Sequence, residues 1–241
     1  MNAPDALPEL LSRCDYEPID AYAVVGDCRS AALVSRRGSI DWLCMPHFSA
    51  PSVFAALLDR RHGGRLLLRP RDIVRVARRY RGGSAVLKTT FECAAGRATL
   101  TDFMAIPGNE DAPHRLFRLV ECEAGEVVVD VVYQQRPDYA RARPDIEPHG
   151  DFGWVYRHAD AVVLFDADAP LALDEARQLV GGTCRLVPQA AGPSQFRRGH
   201  GRADDLASRV AQLGAQLGLP LLLAARHVVA AAVVHRPRLP A

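Results

Sequence analysis

The 241-residue sequence predicts an all-β fold: an antiparallel sandwich of two sheets with one short helix and an irregular or partly helical C-terminal tail. Three observations predict it. From residue 20 to about residue 167 the apolar residues fall in short runs rich in Val, Leu, Phe and Tyr. Gly, Asp and Asn separate those runs, several of them by gaps of hairpin size. Helical periodicity over the same span is weak, which argues against a parallel α/β fold with its crossover helices.

The first two predicted strands are Ala31 to Ser35 and Ile40 to Cys44, and the gap Arg36-Arg37-Gly38-Ser39 places a glycine where a tight turn needs positive φ. The single helix is expected at Ser52 to Asp59. Arg60 to Arg81 holds nine arginines, the kind of basic stripe that contacts nucleic acid. Against that, Val74, Val76 and Tyr80 share one strand face while Arg75, Arg79 and Arg81 take the other, and no series of aromatics is available for base stacking. A solvated strand face is the reading adopted. Strands follow at Val86 to Glu92 and Ala98 to Met104, with Gly96 in the turn between them, where positive φ is again expected, as it is at Gly125 further on. Leu116 to Glu123 and Val127 to Gln134 are joined by a turn containing Gly125, and Trp154 to Arg157 and Val162 to Asp166 complete the set.

After residue 180 the composition changes. No Glu, Tyr, Trp, Ile or Met occurs, Phe196 is the one aromatic, and eight arginines face two aspartates. Leu206, Val210, Leu213 and Leu217 have helical spacing, so Ala203 to Leu219 is a possible amphipathic helix without a clear partner. The expected organisation is an extension over 1–18, a sandwich over 19–180, and an atypical tail over 181–241 that is disordered or read out of frame.

Thirty basic against 28 acidic side chains leave a net charge of +2, so no overall field draws the chain toward nucleic acid or membrane. The six cysteines form no C-x-x-C pair and show no histidine spacing of a zinc site, so neither a metal nor a nucleotide cofactor is expected. Reduced thiols, and a start without the apolar core of a signal peptide, give the expectation of a cytoplasmic protein.

The stretch from Ile19 to Phe48, IDAYAVVGDCRSAALVSRRGSIDWLCMPHF, is distinctive. It is followed by Pro51, Phe54-Ala55-Ala56-Leu57-Leu58, Arg79-Tyr80-Arg81, Thr101-Asp102-Phe103-Met104 and Arg136-Pro137-Asp138-Tyr139. In this order the motifs resemble the opening of bacterial and archaeal glucoamylase/trehalase-like enzymes of glycoside hydrolase family fifteen. The resemblance implies a β-sandwich N-terminal domain that precedes an (α/α)6 barrel. In such enzymes two barrel glutamates act as general acid and base in an inverting attack of water on an α-glucosidic bond. The expected partners are therefore that barrel and an α-glucan or trehalose. The chain departs from the family at His47-Phe48-Ser49-Ala50-Pro51, where relatives usually have Arg-Phe-Asp-Ser-Pro, which removes two charges from the loop.

Within this sequence Asp27, Asp41 and Asp102 are the carboxylates one would test as an acid/base set, yet aspartates bordering strands more often accept turn hydrogen bonds, so no catalytic residue is assigned. Alternation places Ile40, Trp42 and Cys44 on one face, which favours core packing of Trp42 over sugar stacking. By resemblance, Asp41 to Pro51 faces the barrel. Asp41, Trp42, Met45, Pro46, Phe48 and Pro51 are thus candidates for a substrate rim or docking surface, and Met45, Pro46, Phe48 and Pro51, with Phe54, are expected to be exposed.

Overall fold

The chain is described from a computed structural model over residues 16–106, 114–148, 153–167, 169, 171–188 and 227–235. Two antiparallel sheets account for nearly all of it. The first contains β1 (Tyr22–Gly26), β2 (Ala31–Ser35), β3 (Ser39–Cys44), β4 (Ser52–Phe54), β5 (Arg65–Pro70), β10 (Val127–Gln134), β14 (Ala172–Asp174) and β15 (Leu179–Leu186). Its order is β1-β2-β3-β5-β10-β15-β14, with β4 added to β3. The second contains β6 (Ile73–Tyr80), β7 (Leu87–Cys93), β8 (Gly96–Ala105), β9 (His114–Gly125), β11 (Asp145–Pro148), β12 (Trp154–His158), β13 (Ala161–Asp166) and β16 (His227–His235), in the order β11-β12-β13-β16-β9-β8-β7-β6.

Period-two patterning builds the core between the sheets. Along β10, Val127, Val129, Val131 and Tyr133 point inward beside Leu66 and Leu68 of β5, and they meet Phe91, Leu100, Val120 and Phe165 of the opposite sheet. Tyr133 stacks on Phe165 with ring centroids 4.1 Å apart and packs on Tyr156 at 4.7 Å. Each such fully buried side chain contributes about 1.5–3 kcal/mol.

The edges of the two sheets are tied by one tyrosine. The Tyr80 hydroxyl donates to the Val24 carbonyl and accepts from the Val24 N–H, both at 2.9 Å, so a side chain of β6 satisfies backbone groups of the edge strand β1.

All eight strand runs predicted from patterning are strands, to within two residues at either end. Four local readings require correction. Ser52–Phe54 is a strand, not the start of a helix: all three residues are buried, Phe54 meets the edge of Tyr133 at 5.4 Å, and Ala55 and Ala56 give their N–H groups to the carbonyls of Gly63 and Gly64. Those long-range bonds replace a helical ladder. Val74 is exposed because the β6–β7 register shifts between Ile73 and Arg75, turning it away from Val76. Gly96 lacks positive φ; a Cβ there would lie 2.5 Å from the Ala124 carbonyl, so close strand approach is what requires glycine. Gly38 and Gly125 do take the left-handed backbone expected of them.

The fourth correction concerns Trp42. Leu33 pairs with Trp42 but Val34 pairs with Ile40, so Asp41 is an extra residue bulged out of β3. The bulge resets the alternation: Ile40 and Leu43 enter the core, and Trp42 lies outside it, partly buried.

Strands also occur beyond residue 180. β15 pairs with β10 and β14, and β16 lies between β13 and β9. The expected helix Ala203 to Leu219 lies outside the described residues.

Candidate functional site

Asp27, Asp41 and Asp102 are all buried, and each is engaged by hydrogen-bond donors. Asp27, in the β1–β2 turn, accepts the N–H groups of Arg29 at 3.0 Å and Ser30 at 2.8 Å, and pairs with Nδ1 of His114 at 2.5 Å. His114 opens β9, so this contact joins a turn of one sheet to a strand of the other. The bulge in β3 presents the Asp41 carboxylate to the Tyr22 hydroxyl at 2.8 Å, to Ser39 Oγ, and to Arg60 Nη1 at 3.4 Å. Burial and the adjacent Asp41 carboxylate push the Tyr22 hydroxyl well above its ordinary pKa.

Asp102 of β8 lies against Arg118 of β9, both side chains having no solvent exposure. Burial pushes the Asp102 carboxyl upward, and the guanidinium beside it opposes that shift. The remaining Arg118 donors cross the sandwich to the Leu66 and Gly38 carbonyls at 2.8 and 3.0 Å. The three carboxylates are held separately, by His114, Arg60 and Arg118. Among the described residues no three His, Cys, Asp or Glu side chains gather as a metal-ligand set.

A different surface carries exposed apolar groups. Trp42 meets Tyr139 with ring centroids 6.0 Å apart, and the Arg141 guanidinium lies 5.8 Å from the centre of the same tyrosine ring. Tyr139 belongs to a turn in which Asp138, Tyr139 and Ala140 all adopt positive φ, at 50°, 57° and 66°. Three consecutive non-glycine residues in that region are strained by about 1–2 kcal/mol each and need external support. Ser52 supplies it: its carbonyl accepts from the Asp138 N–H at 3.1 Å and its Oγ from the Tyr139 N–H at 2.8 Å. The turn therefore lies against Ser52, which follows Pro51, and the loop before them carries Phe48, which is 64% exposed.

Of the six docking or rim candidates, Phe48 and Pro51 are exposed, and Trp42 and Pro46 are partly buried. Met45 is 4% exposed and Asp41 is fully buried; Met45 and Phe54 both join the core, against the expectation that they line the surface. The cause is pairing: Leu43 is opposite Phe54, and Cys44 opposite Ser52, so β3 and β4 carry the flanking apolar side chains inward. Sequence reasoning missed Tyr139 as a member of this surface and Arg60, His114 and Arg118 as partners of the aspartates. The signals were an aromatic inside the Arg136-Pro137-Asp138-Tyr139 motif and an arginine within an otherwise apolar strand.

The fold is thus a two-sheet antiparallel sandwich with its three candidate carboxylates tied internally and the Trp42–Tyr139 pair outside the core. The trehalase-like, N-terminal family matches residues 10–193, and the chain belongs to that family. It is similar to the trehalase of Mycolicibacterium smegmatis, 34% identical over 155 residues that cover 57% of this chain and 23% of that protein. The trehalase of Mycobacterium tuberculosis is 34% identical over 146 residues, covering 54% and 21%. The trehalase of Thermoplasma volcanium is 27% identical over 183 residues, covering 73% and 28%. The chain thus spans about a quarter of the length of the curated relatives it matches. No solved structure matches it significantly.

Proposed function

We propose that this sandwich is the N-terminal module of a glucoamylase/trehalase-like glycoside hydrolase, that it does no hydrolysis itself, and that it docks on a catalytic barrel acting on trehalose or a related α-glucoside. The observation that carries this reading is the outer surface of Trp42, Tyr139, Phe48 and Pro51, where aromatic area stays partly solvated on a strained, braced turn. Exposed aromatics on a rigid support are what an interdomain contact uses. The buried state of Asp27, Asp41 and Asp102 supports the non-catalytic part. In this reading the body of the module is 19–180, residues 1–18 are an extension, and 181–241 is an atypical tail whose described parts, the end of β15 and β16, add to the sheets. Reduced cysteines and the absence, among the described residues, of any helix long and apolar enough to cross a membrane fit a cytoplasmic module.

A second reading, a sugar-binding module, draws on the same Trp42–Tyr139 pair, because an indole beside a phenol can stack on a pyranose. One experiment separates the two. Trp42 and Trp154 are the only tryptophans, so a Trp154→Phe chain reports on Trp42 alone. The docking reading expects its emission to shift to the blue when the chain is mixed with the M. smegmatis trehalase lacking the quarter that this chain matches, and to be unmoved by trehalose. A shift with trehalose alone supports the second reading. No shift with either partner, when the truncated trehalase is folded, contradicts both.

A further inference from the structure

Arg136 is a buried cation without a counter-ion among the described residues. It is 8% exposed, and its guanidinium donates only to main-chain carbonyls: Nη1 to Gln135 at 2.8 Å and Gln178 at 3.2 Å, Nη2 to Arg177 at 2.7 Å. Carbonyls satisfy its hydrogens and leave its charge uncompensated, which is costly for a desolvated cation. Among the described residues no carboxylate lies within ion-pair distance of it.

Arg136 lines an open cavity of about 370 Å³ with Arg61, His62, Gln134, Arg143 and Arg177. Four separate pieces of chain converge there: the turn before β5, the end of β10, the loop after it, and the β14–β15 turn. Arg177 is neutralised by Asp174 at 2.6 Å, and His62 is hydrogen-bonded to Asp59 at 2.8 Å. Arg61 and Arg143 have no ion-pair partner among the described residues, and Arg143 donates to the neutral Gln178 Oε1 at 3.2 Å. Burial, with the charge of Arg143 added to it, lowers the proton affinity of Arg136, as expected for cations crowded together without an anion.

We propose that this cavity binds a small, multiply charged oxyanion: phosphate, either free or as the ester of a small molecule. Three guanidinium groups without an ion-pair partner among the described residues, Arg61, Arg136 and Arg143, offer positive charge to such a group, and their planar donor forks match its oxygens. A neutral sugar would leave Arg136 uncompensated. A nucleic-acid strand presents its charges along a line, whereas these three arginines converge on one cavity. The proposal does not depend on the docking reading above.

The test is calorimetric titration of the full chain, at constant ionic strength, with inorganic phosphate in one arm and a hexose phosphate in the other. Arg136→Met removes three donors to main-chain carbonyls and can unfold the chain, so the exposed arginines carry the test. One-site saturable binding is expected, weakened about tenfold or more by Arg61→Ser and by Arg143→Ser. Arg157→Ser, at an exposed position of β12, should leave it unchanged. Tighter binding of the ester identifies a phosphorylated ligand, and equal binding identifies the free anion. Absence of saturable binding in both arms, or equal weakening by Arg157→Ser, overturns the proposal.

Discussion

Arg118 and Asp102 form an ion pair at 2.7 Å, from neighbouring strands of one sheet, with no solvent at either side chain. The same guanidinium reaches the carbonyls of Leu66 and Gly38 in the other sheet, so a single arginine holds the sheets in register at the centre of the sandwich. Both oxygens of Asp102 accept from this guanidinium.

Removing one partner leaves the other charge buried and unpaired. Arg118→Met and Asp102→Leu are each expected to destabilise the fold by about 3–5 kcal/mol, and the double substitution by much less than their sum. Denaturant unfolding of the three variants measures the coupling.

Gly38 adopts φ of 81°, and a Cβ there would lie 2.2 Å from the Leu68 carbonyl oxygen. Its own carbonyl is the one that Arg118 Nη2 reaches. Gly38→Ala combines left-handed strain with a backbone clash, and a loss of about 3 kcal/mol or more is expected in thermal unfolding. Gly83→Ala, where nothing lies within 4 Å of the added carbon and φ is not positive, is the neutral comparison.

Much of this was legible in the sequence. Hydrophobic alternation identified β2, β7 to β10, β12 and β13, because each has one face on the core and one facing outward. Alternation failed where geometry breaks period two: the bulge at Asp41 turned Trp42 outward, and that at Ile73/Arg75 exposed Val74. β5 was hidden because its arginines made Arg65–Pro70 read as a charged stripe, although Arg65 is buried with its guanidinium on the Arg60 carbonyl. The partners of the three aspartates were illegible for a different reason. His114 is 87 residues from Asp27, and such pairings arise only when the sheets come together.

Tyr80→Phe removes both hydrogen bonds to Val24 and returns its N–H to solvent. The expected cost is about 1 kcal/mol, with faster amide exchange at Val24 and little change in the core strands. Exchange followed by NMR checks this directly.

Glu123 is held below the usual carboxylate range: burial opposes the shift, but the Thr99 hydrogen bond at 2.6 Å and Lys88 outweigh it. A depressed folded-state pKa stabilises above the unfolded value, near pH 4, and the contribution is lost as pH falls through the folded one. Thr99→Val should therefore cost about 0.5–1 kcal/mol at neutral pH. Its difference from the unsubstituted chain should narrow in denaturant titrations below about pH 4.

The central claim, that the acidic residues of this sandwich are structural and that hydrolysis belongs to another domain, is tested most directly by glucose release from trehalose and maltose. The assay uses the highly purified full chain, with Asp41→Asn and Asp102→Asn chains as controls against contaminating hydrolase. The expected result is no turnover above a buffer blank in any of the three, because Asp27, Asp41 and Asp102 are each held by a separate partner. Turnover by the unsubstituted chain that either substitution abolishes, with the β-sheet circular dichroism retained, would contradict the account and make the sandwich itself the enzyme.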